Sequence, residues 1–334
     1  MNILSSREIV FRRPHDVHLR TCKLKPEIGE VVIEVTHSLV SNGTERTAYT
    51  GGFAPDSHWA SWVQYPFRPG YAAVGEVICK GSAVNRLELG QLVAVRGHHA
   101  SRLIVSDKQC IPLTPGTNPR DAVWFALARI AMLGMMAAGP LEGRQILIIG
   151  GGPIAQLCLR WCIHQRGTVS LMTRSSISRS AALRGGASCV LDCKTSSPEI
   201  REHMSTLGVM PDVIIDCTSD ASVLSWALGS VADYGRIVLV GDPGEPRDRK
   251  FTSDLLLRGL SVCGVHDRCT FNKWTDEAAA SVFFSALNSR SFRTDDLVSR
   301  TYPSSSICEL YETLASRGEM LGLLIDWQNQ TESV

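Results

Sequence analysis

The chain has 334 residues, 44% of them apolar and 20% charged, which allows two ordinary domains with a buried core in each and excludes large-scale disorder. Its 34 Lys and Arg against 33 Asp and Glu leave a net charge of +1, so nothing electrostatic favours nucleic acid or anionic lipid as a partner. Charges interrupt every apolar run near the N-terminus before a signal h-region can form, and the apolar stretch 124–141 contains Arg129. A buried amphipathic helix is therefore expected there, in a cytoplasmic protein. The basic groups Arg12-Arg13 and 247–250 read as solvated surface. Eleven cysteines, an odd number, include no Cys-x-x-Cys pair. The nearest pairs, Cys158/Cys162 and Cys189/Cys193, stand four apart and read as packed thiols rather than zinc ligands or disulfides.

In chain order, residues 1–118 read as a partly closed β-rich unit, with short strand-like runs at 30–36, 73–79, 91–95 and 102–105 broken by Gly and Pro. A helical pattern over 121–138 leads into an apolar strand at 145–149, a glycine turn and another helix. Strand-like runs recur at 168–172, 189–192, 212–216, 236–240 and 260–264, separated by helical or mixed stretches. That alternation is expected of a doubly wound parallel sheet and sets a second unit at 119–266. The apolar run 255–265 is expected as its edge strand, which invites pairing with a second copy in a homodimer. The remainder, 267–334, holds helical pieces at 274–287 and 306–316 and a final strand at 321–325.

Gly150-Gly151-Gly152-Pro153-Ile154-Ala155 follows the strand QILII and opens a helix, fitting G-x-G-x-x-G/A. Gly150 allows the tight turn, Gly152 lets a pyrophosphate approach the backbone, and the helix that opens with Pro153, which has no N–H of its own, and Ile154 offers the N–H groups of its first turn to it. A site for NAD should place an acid at the end of the next strand. This one ends in Thr173-Arg174-Ser175-Ser176, with Arg179 close behind. A guanidinium and hydroxyls there are donors for a 2′-phosphate, so the cofactor is expected to be NADP. Cys217 and Thr218, at the end of the fourth strand, are expected to contact it.

This order of parts resembles the medium-chain dehydrogenase/reductase superfamily over nearly the whole chain. Leu89-Gly90-Gln91-Leu92-Val93 is similar to the family's G-D-x-V turn, and the strand from Tyr234 to Gly241 (YGRIVLVG) to its G-G-x-x-V-x-x-G strand. The resemblance implies a GroES-like catalytic domain (1–118, with a return over 267–334) beside a Rossmann domain. It also implies a cofactor in the cleft between them, with Gly241 beside it, and dimers joined sheet to sheet. The zinc-dependent branch has its first ligand in a C-G-T-D-like segment, which here reads Asn42-Gly43-Thr44-Glu45. Its G-H-E histidine is replaced in Gly70-Tyr71-Ala72, and neither a third ligand at 124–130 nor a four-cysteine lobe is present. Zinc catalysis needs about three protein ligands plus an open position, so a zinc-free enzyme is expected. The segments SNGTER (41–46), RPGYAAVGEV (68–77) and GHHASRLIV (97–105) resemble a zinc-less branch that includes bacteriochlorophyllide-type hydroxyethyl dehydrogenases. That implies hydride exchange at a small-molecule secondary alcohol or its ketone in specialised biosynthesis. Enone or quinone reduction is the alternative chemistry, and a non-catalytic NADPH-binding protein the alternative class.

Five residues are candidates for the chemistry. The resemblance puts Thr44 where a hydroxyl relays the substrate proton; as a plain residue it would cap the helix-like 44–49 segment. Glu45 is expected either to pair with an arginine or to act as general acid or base. Tyr71 stands where a ligating His would project, and would donate to a carbonyl oxygen or pack against nicotinamide or substrate. His98 and His99 end a strand expected to face the cleft, where alternation lets only one point inward as a proton donor and a structural role is open to each. His266 is a weaker candidate. The aromatic stretch 53–67 reads as a flap over the cleft, suited to a bulky or planar substrate, or as a loop pinned by its tryptophans.

Overall fold

The computed structural model describes residues 3–192, 210–242, 244, 246–268, 274–316 and 318–328. Cys193 and most of the segment between the third and fourth strands of the parallel sheet lie outside them.

The chain opens with an antiparallel hairpin, β1 (Leu4–Arg13) and β2 (Asp16–Leu24). The sequence reading missed it, because Arg7, Glu8, Arg12, Arg20 and Lys23 break up its apolar pattern. Ile9 to Phe11 nevertheless form a buried run, stitched to the next unit by backbone bonds from Ile9 to His99 and between Phe11 and Phe67. β3 (Glu30–Val40) is the long central strand of a seven-stranded sheet. After it come α1 (Asn42–Thr50), α2 (His58–Trp62), β4 (Ala73–Lys80), β5 (Leu92–Val95), β6 (Arg102–Ser106) and β7 (Cys110–Pro112). β3 pairs with β4 and β6, and alternate residues Val31, Ile33 and Val35 pack into one aliphatic and aromatic core.

The helical run expected over 121–138 is two helices, α3 (Pro119–Ala122) and α4 (Phe125–Ala137). Asn118 caps the first, Pro119 occupies its first turn, and the chain reorients at Val123 and Trp124. α4 is apolar almost all round because helices cover it on two sides, and its one guanidinium, Arg129, is neutralised internally.

The parallel unit follows: β8 (Gln145–Ile149), α5 (Pro153–His164), β9 (Thr168–Met172), α6 (Ser176–Arg184), β10 (Cys189–Leu191), β11 (Val213–Asp216), α7 (Val223–Ser230), β12 (Arg236–Leu239), α8 (Asp254–Leu257) and β13 (Ser261–Gly264). Its order β10-β9-β8-β11-β12-β13, parallel throughout, is the 3-2-1-4-5-6 order of a Rossmann sheet, with the switch point between β8 and β11. The run expected as one strand over 255–265 is instead α8 followed by β13. Gly259, in the left-handed region at φ +59°, lets the chain reverse out of the helix before the strand begins.

The chain then forms α9 (Asp276–Asn288), β14 (Val298–Pro303), α10 (Ile307–Ala315) and β15 (Gly322–Asp326). β15 pairs antiparallel with β3, so the C-terminal segment completes the first sheet rather than the second. The fold is thus α/β, a GroES-like β-rich unit beside a Rossmann unit. Among the described residues, no helix is long and apolar enough to cross a membrane.

Candidate active site

The glycine turn lies where the parallel sheet can use it. Gly150, at φ +114°, takes the chain off β8, and a side chain at Gly151 would strike Thr173 at 2.2 Å. Gly152 caps α5, its Cβ position opens onto empty space, and Pro153 takes the first helical place. The first N–H groups of α5 therefore face a cavity of about 610 Å³, which Gly150 to Gly152, Thr173, Arg174, Ser175, Cys217 and Thr218 help to line. These residues suit a dinucleotide pyrophosphate. Gly241 is as close-set: a Cβ there would lie 1.7 Å from the Thr218 carbonyl oxygen. Ser175 caps α6 by accepting from the Ser178 N–H at 3.2 Å. Arg179 turns aside to pair with Asp192 at 3.2 Å, which leaves Arg174 as the cation lining this cavity among the described residues.

A second cavity of about 410 Å³ continues from Cys217 and Thr218 toward the β-rich unit. Ile154, Gly241 and His266 line it from the Rossmann side, and Ser41, Thr44, Tyr71 and Arg96 from the other. The aromatic stretch forms α2 above it, with Trp59 and Trp62 in its wall. Two bonds tie this flap across the cleft: His58 Nε2 meets Asp242 Oδ2 at 3.0 Å, and the Ala54 N–H donates to the Gly244 carbonyl at 3.1 Å.

Thr44 and Tyr71 share this cavity. Thr44 is inside α1, not at its cap, which Ser41 occupies. The Tyr71 phenol donates to Ser41 Oγ at 2.6 Å. Burial pushes its pKa up to about 12, against the pull of the Ser41 and Thr44 hydroxyls, so it is a neutral donor at physiological pH. The Arg96 guanidinium stands 5.6 Å from the centre of the Tyr71 ring. It is held by Asp267 (2.6 and 3.0 Å) and Asp276 (2.8 and 2.9 Å), and Arg129 braces Asp267 from behind at 2.7 Å.

The other three candidates are placed elsewhere. Glu45 is buried and pairs with no arginine among the described residues: it accepts from the Ser41 N–H at 2.7 Å and from Tyr311 OH at 2.6 Å, and its Oε2 lies 3.0 Å from His99 Nε2. His99 bonds through Nδ1 to Ser38 Oγ at 2.7 Å, which also accepts from Trp327 Nε1. His98 faces the opposite way, 3.0 Å from Glu8 Oε2. Burial pushes His98 down in pKa, while Arg20, Arg68 and His98 outweigh burial and hold Glu8 low. Neither histidine lines the cleft. The expectation that one of them would point into it is corrected: two buried carboxylates, Glu8 and Glu45, draw the two rings away.

At the expected metal position stand an amide, a phenol and a guanidinium. Asn42 donates through Nδ2 to the Leu321 carbonyl at 2.6 Å, Tyr71 is a neutral phenol turned to Ser41, and a guanidinium lies alongside. Among the described residues, no three His, Cys, Asp or Glu side chains are grouped to hold a metal ion. Sequence reading had passed over Ser41, Arg96, Asp267 and Glu319. Only Ser41 lay inside a quoted motif, and the others acquire their positions through contacts with elements distant in sequence.

A family profile described as "Zinc-binding dehydrogenase" matches residues 153–282. The chain is 25% identical to 2-desacetyl-2-hydroxyethyl bacteriochlorophyllide A dehydrogenase of Cereibacter sphaeroides over 339 aligned positions, covering 96% of this chain and 98% of that protein. It is 23% identical to L-threonine 3-dehydrogenase of Pyrococcus furiosus, over 75% of this chain and 79% of that one. Among solved structures, a putative zinc-binding dehydrogenase from Sinorhizobium meliloti bound to NADP superposes with a TM-score of 0.81 at 18% identity, covering 98% of this chain and 100% of that chain. L-idonate 5-dehydrogenase of Escherichia coli gives 0.83 at 16% identity, covering 98% and 99%. With the sheet order and the glycine turn, these matches show that the chain has the fold of the medium-chain dehydrogenases, resembles the zinc-binding dehydrogenase family over residues 153–282, and is similar over nearly its whole length to oxidoreductases of dehydrogenase type.

Proposed function

We propose that the protein is an NADP(H)-dependent oxidoreductase that interconverts a ketone and a secondary alcohol without a catalytic metal. The observation that carries this reading is Tyr71 and Thr44 in one cavity with Ile154, Cys217 and Thr218 of the dinucleotide unit. A nicotinamide dinucleotide supplies or takes up hydride when bound. Reduction leaves negative charge on the substrate oxygen, and in the absence of a Lewis acid hydrogen-bond donors must meet it. Tyr71 stays protonated, and its single O–H, which rests on Ser41 Oγ in the free protein, would turn to the substrate oxygen while the Ser41 hydroxyl donates to the phenol in its place, with Thr44 as the second hydroxyl. Arg174 and the start of α6 suit a 2′-phosphate. Trp59 and Trp62 give the flap an apolar wall, and with the similarity to a hydroxyethyl bacteriochlorophyllide dehydrogenase they favour a bulky or planar secondary alcohol of specialised biosynthesis.

The test is NADPH consumption on matched ketones and enones. Ketone turnover is expected, with Tyr71→Phe and Thr44→Val each slowing it about a hundredfold or more while cofactor affinity holds. Turnover of enones alone, unchanged rates in both variants, or activity that a chelator abolishes and zinc restores would each overturn the reading.

A further inference from the structure

The acid missing from the end of β9 is present in space, supplied from the far end of the chain. Glu319 lies in the short segment before β15, and its carboxylate reaches the first turn of α6. It accepts from the Ser176 N–H at 3.1 and 3.2 Å, from the Ser176 hydroxyl at 2.6 Å and from the Ile177 N–H at 3.4 Å. These bonds, Ser176's hydroxyl first among them, hold its carboxyl below the usual range although it is exposed. Glu319 also lines the cavity of the glycine turn, together with Arg174 and Ser175. Arg174 is exposed there and makes no hydrogen bond or ion pair among the described residues.

The donors best placed for a 2′-phosphate are thus held by an internal carboxylate, while the neighbouring guanidinium, whose charge helps to hold Asp220 low, makes no hydrogen bond among the described residues. Two anions cannot share one set of N–H and O–H donors, because their repulsion at contact distance exceeds what a second weak bond returns. The carboxylate caps first-turn N–H groups of α6 and meets the positive end of its dipole, but it pairs with no cation among the described residues and stands beside the pyrophosphate turn, where a bound anion can take over the same donors. Its segment is anchored just beyond, where the Leu321 N–H donates to Ser299 Oγ at 2.7 Å and the Leu321 carbonyl accepts from Asn42. Release of Glu319 therefore requires movement of 318–320 and not of β15.

We propose that Glu319 is a specificity-determining residue of the dinucleotide site, an internal anion that fills the 2′-phosphate position in the free protein and is displaced when a 2′-phosphorylated adenosine binds. The proposal rests on the NADP(H) reading above. It makes the affinity for the phosphorylated cofactor lower than the donors alone would set, and leaves affinity for the unphosphorylated one nearly untouched.

Calorimetric titration of the whole protein with 2′,5′-ADP and with 5′-AMP tests it, using wild type, Glu319→Gln, Glu319→Ala and Arg174→Ala. Both Glu319 variants are expected to bind 2′,5′-ADP about tenfold more tightly and to change 5′-AMP binding by less than about twofold. Unchanged or weaker 2′,5′-ADP binding in both would overturn the proposal, and weaker 5′-AMP binding would assign Glu319 to the ribose hydroxyls instead. Arg174→Ala reports separately on the underlying reading: selective loss of 2′,5′-ADP sustains NADP(H), and equal loss of both ligands removes it whatever the Glu319 variants do.

Discussion

Replacing Glu45 with alanine separates the two roles open to this residue. In the structure its carboxylate is the hub of a sealed network, satisfying the Ser41 N–H, the Tyr311 hydroxyl and the His99 ring, with His99 and Tyr311 fully buried. Truncation leaves those three groups without their partner in a place water does not reach. Each such group costs about 1–3 kcal/mol, and removing one member of a buried pair typically costs about 3–5 kcal/mol in total. A loss of about 4 kcal/mol is a large share of the roughly 5–15 kcal/mol that holds a domain together. In a chain of this size it should lower the thermal midpoint by on the order of 10 °C. Glu45→Gln preserves shape and one acceptor oxygen and should lose about half as much. Circular dichroism melts give the stability, and NADPH-coupled turnover at a temperature where each variant is folded gives the activity. Because the Ser41 N–H is fixed by Glu45 and the Ser41 hydroxyl fixes Tyr71, a modest fall in kcat through misplacement of the phenol is expected. An Ala variant that melts like wild type yet has lost all turnover would refute the structural assignment and restore Glu45 as an acid or base of the reaction.

Asp216, at the end of β11 beneath the cleft, should make stability fall with rising pH. Burial raises its pKa to about 6, its Oδ1 being bonded by Thr218 and its Oδ2 left without a partner. With the folded value above the unfolded one, the contribution is complete below about pH 4 and lost as pH rises through about 6. Asp216→Asn should therefore stabilise the protein by about 1–3 kcal/mol at pH 8 and by little at pH 4; equal melting shifts at both would discount the buried charge. For assembly, β13 is the open edge of the Rossmann sheet, and Leu256 and Leu257 are 84% and 83% exposed beside it, with Tyr234 at 87%. Sedimentation at micromolar concentration is expected to give a dimer that Leu256→Glu with Leu257→Glu dissociates, and a wild-type monomer would contradict this.

What could be read from the sequence was what short-range pattern encodes. The β8 strand, glycine turn and α5 are contiguous, so residues 145–164 carry their own geometry, and the parallel strands announce themselves as apolar runs because both faces are covered. The β1–β2 hairpin escaped because its inward side includes Glu8, a carboxylate that a period-two reading scores as surface and that its cross-strand partner Arg20, with Arg68 and His98 arriving from elsewhere, makes tolerable. His98 and His99 were misplaced for the same reason. Alternation says that two adjacent residues point to opposite faces, which they do, but not that a buried acid waits on each side. Glu319 is the extreme case, since it meets Ser176 from 143 positions away and no local signal marks it.

The exchange of Asn42 and Tyr71 for metal ligands is consistent with everything that surrounds them. A tetrahedral zinc site needs anionic or imidazole donors converging on one point and an otherwise unopposed positive charge. Here the Asn42 Nδ2 fastens the start of α1 to the Leu321 carbonyl just before β15, while its Oδ1 is buried without a hydrogen-bond partner. The phenol of Tyr71 is too reluctant to ionise, at a pKa of about 12, to serve as an anionic ligand, while as a neutral donor it needs an acceptor, and Ser41 provides one. Beside the ring a fixed cation is already installed, Arg96, whose charge is met by Asp267 and Asp276. Among the described residues the carboxylates near that guanidinium are already paired, Asp267 and Asp276 with Arg96 and Asp242 with His58. The Arg96 cluster, two guanidiniums against two carboxylates, is close to neutral as a whole, so what it gives the cleft is a rigid wall behind the Tyr71 ring rather than net charge.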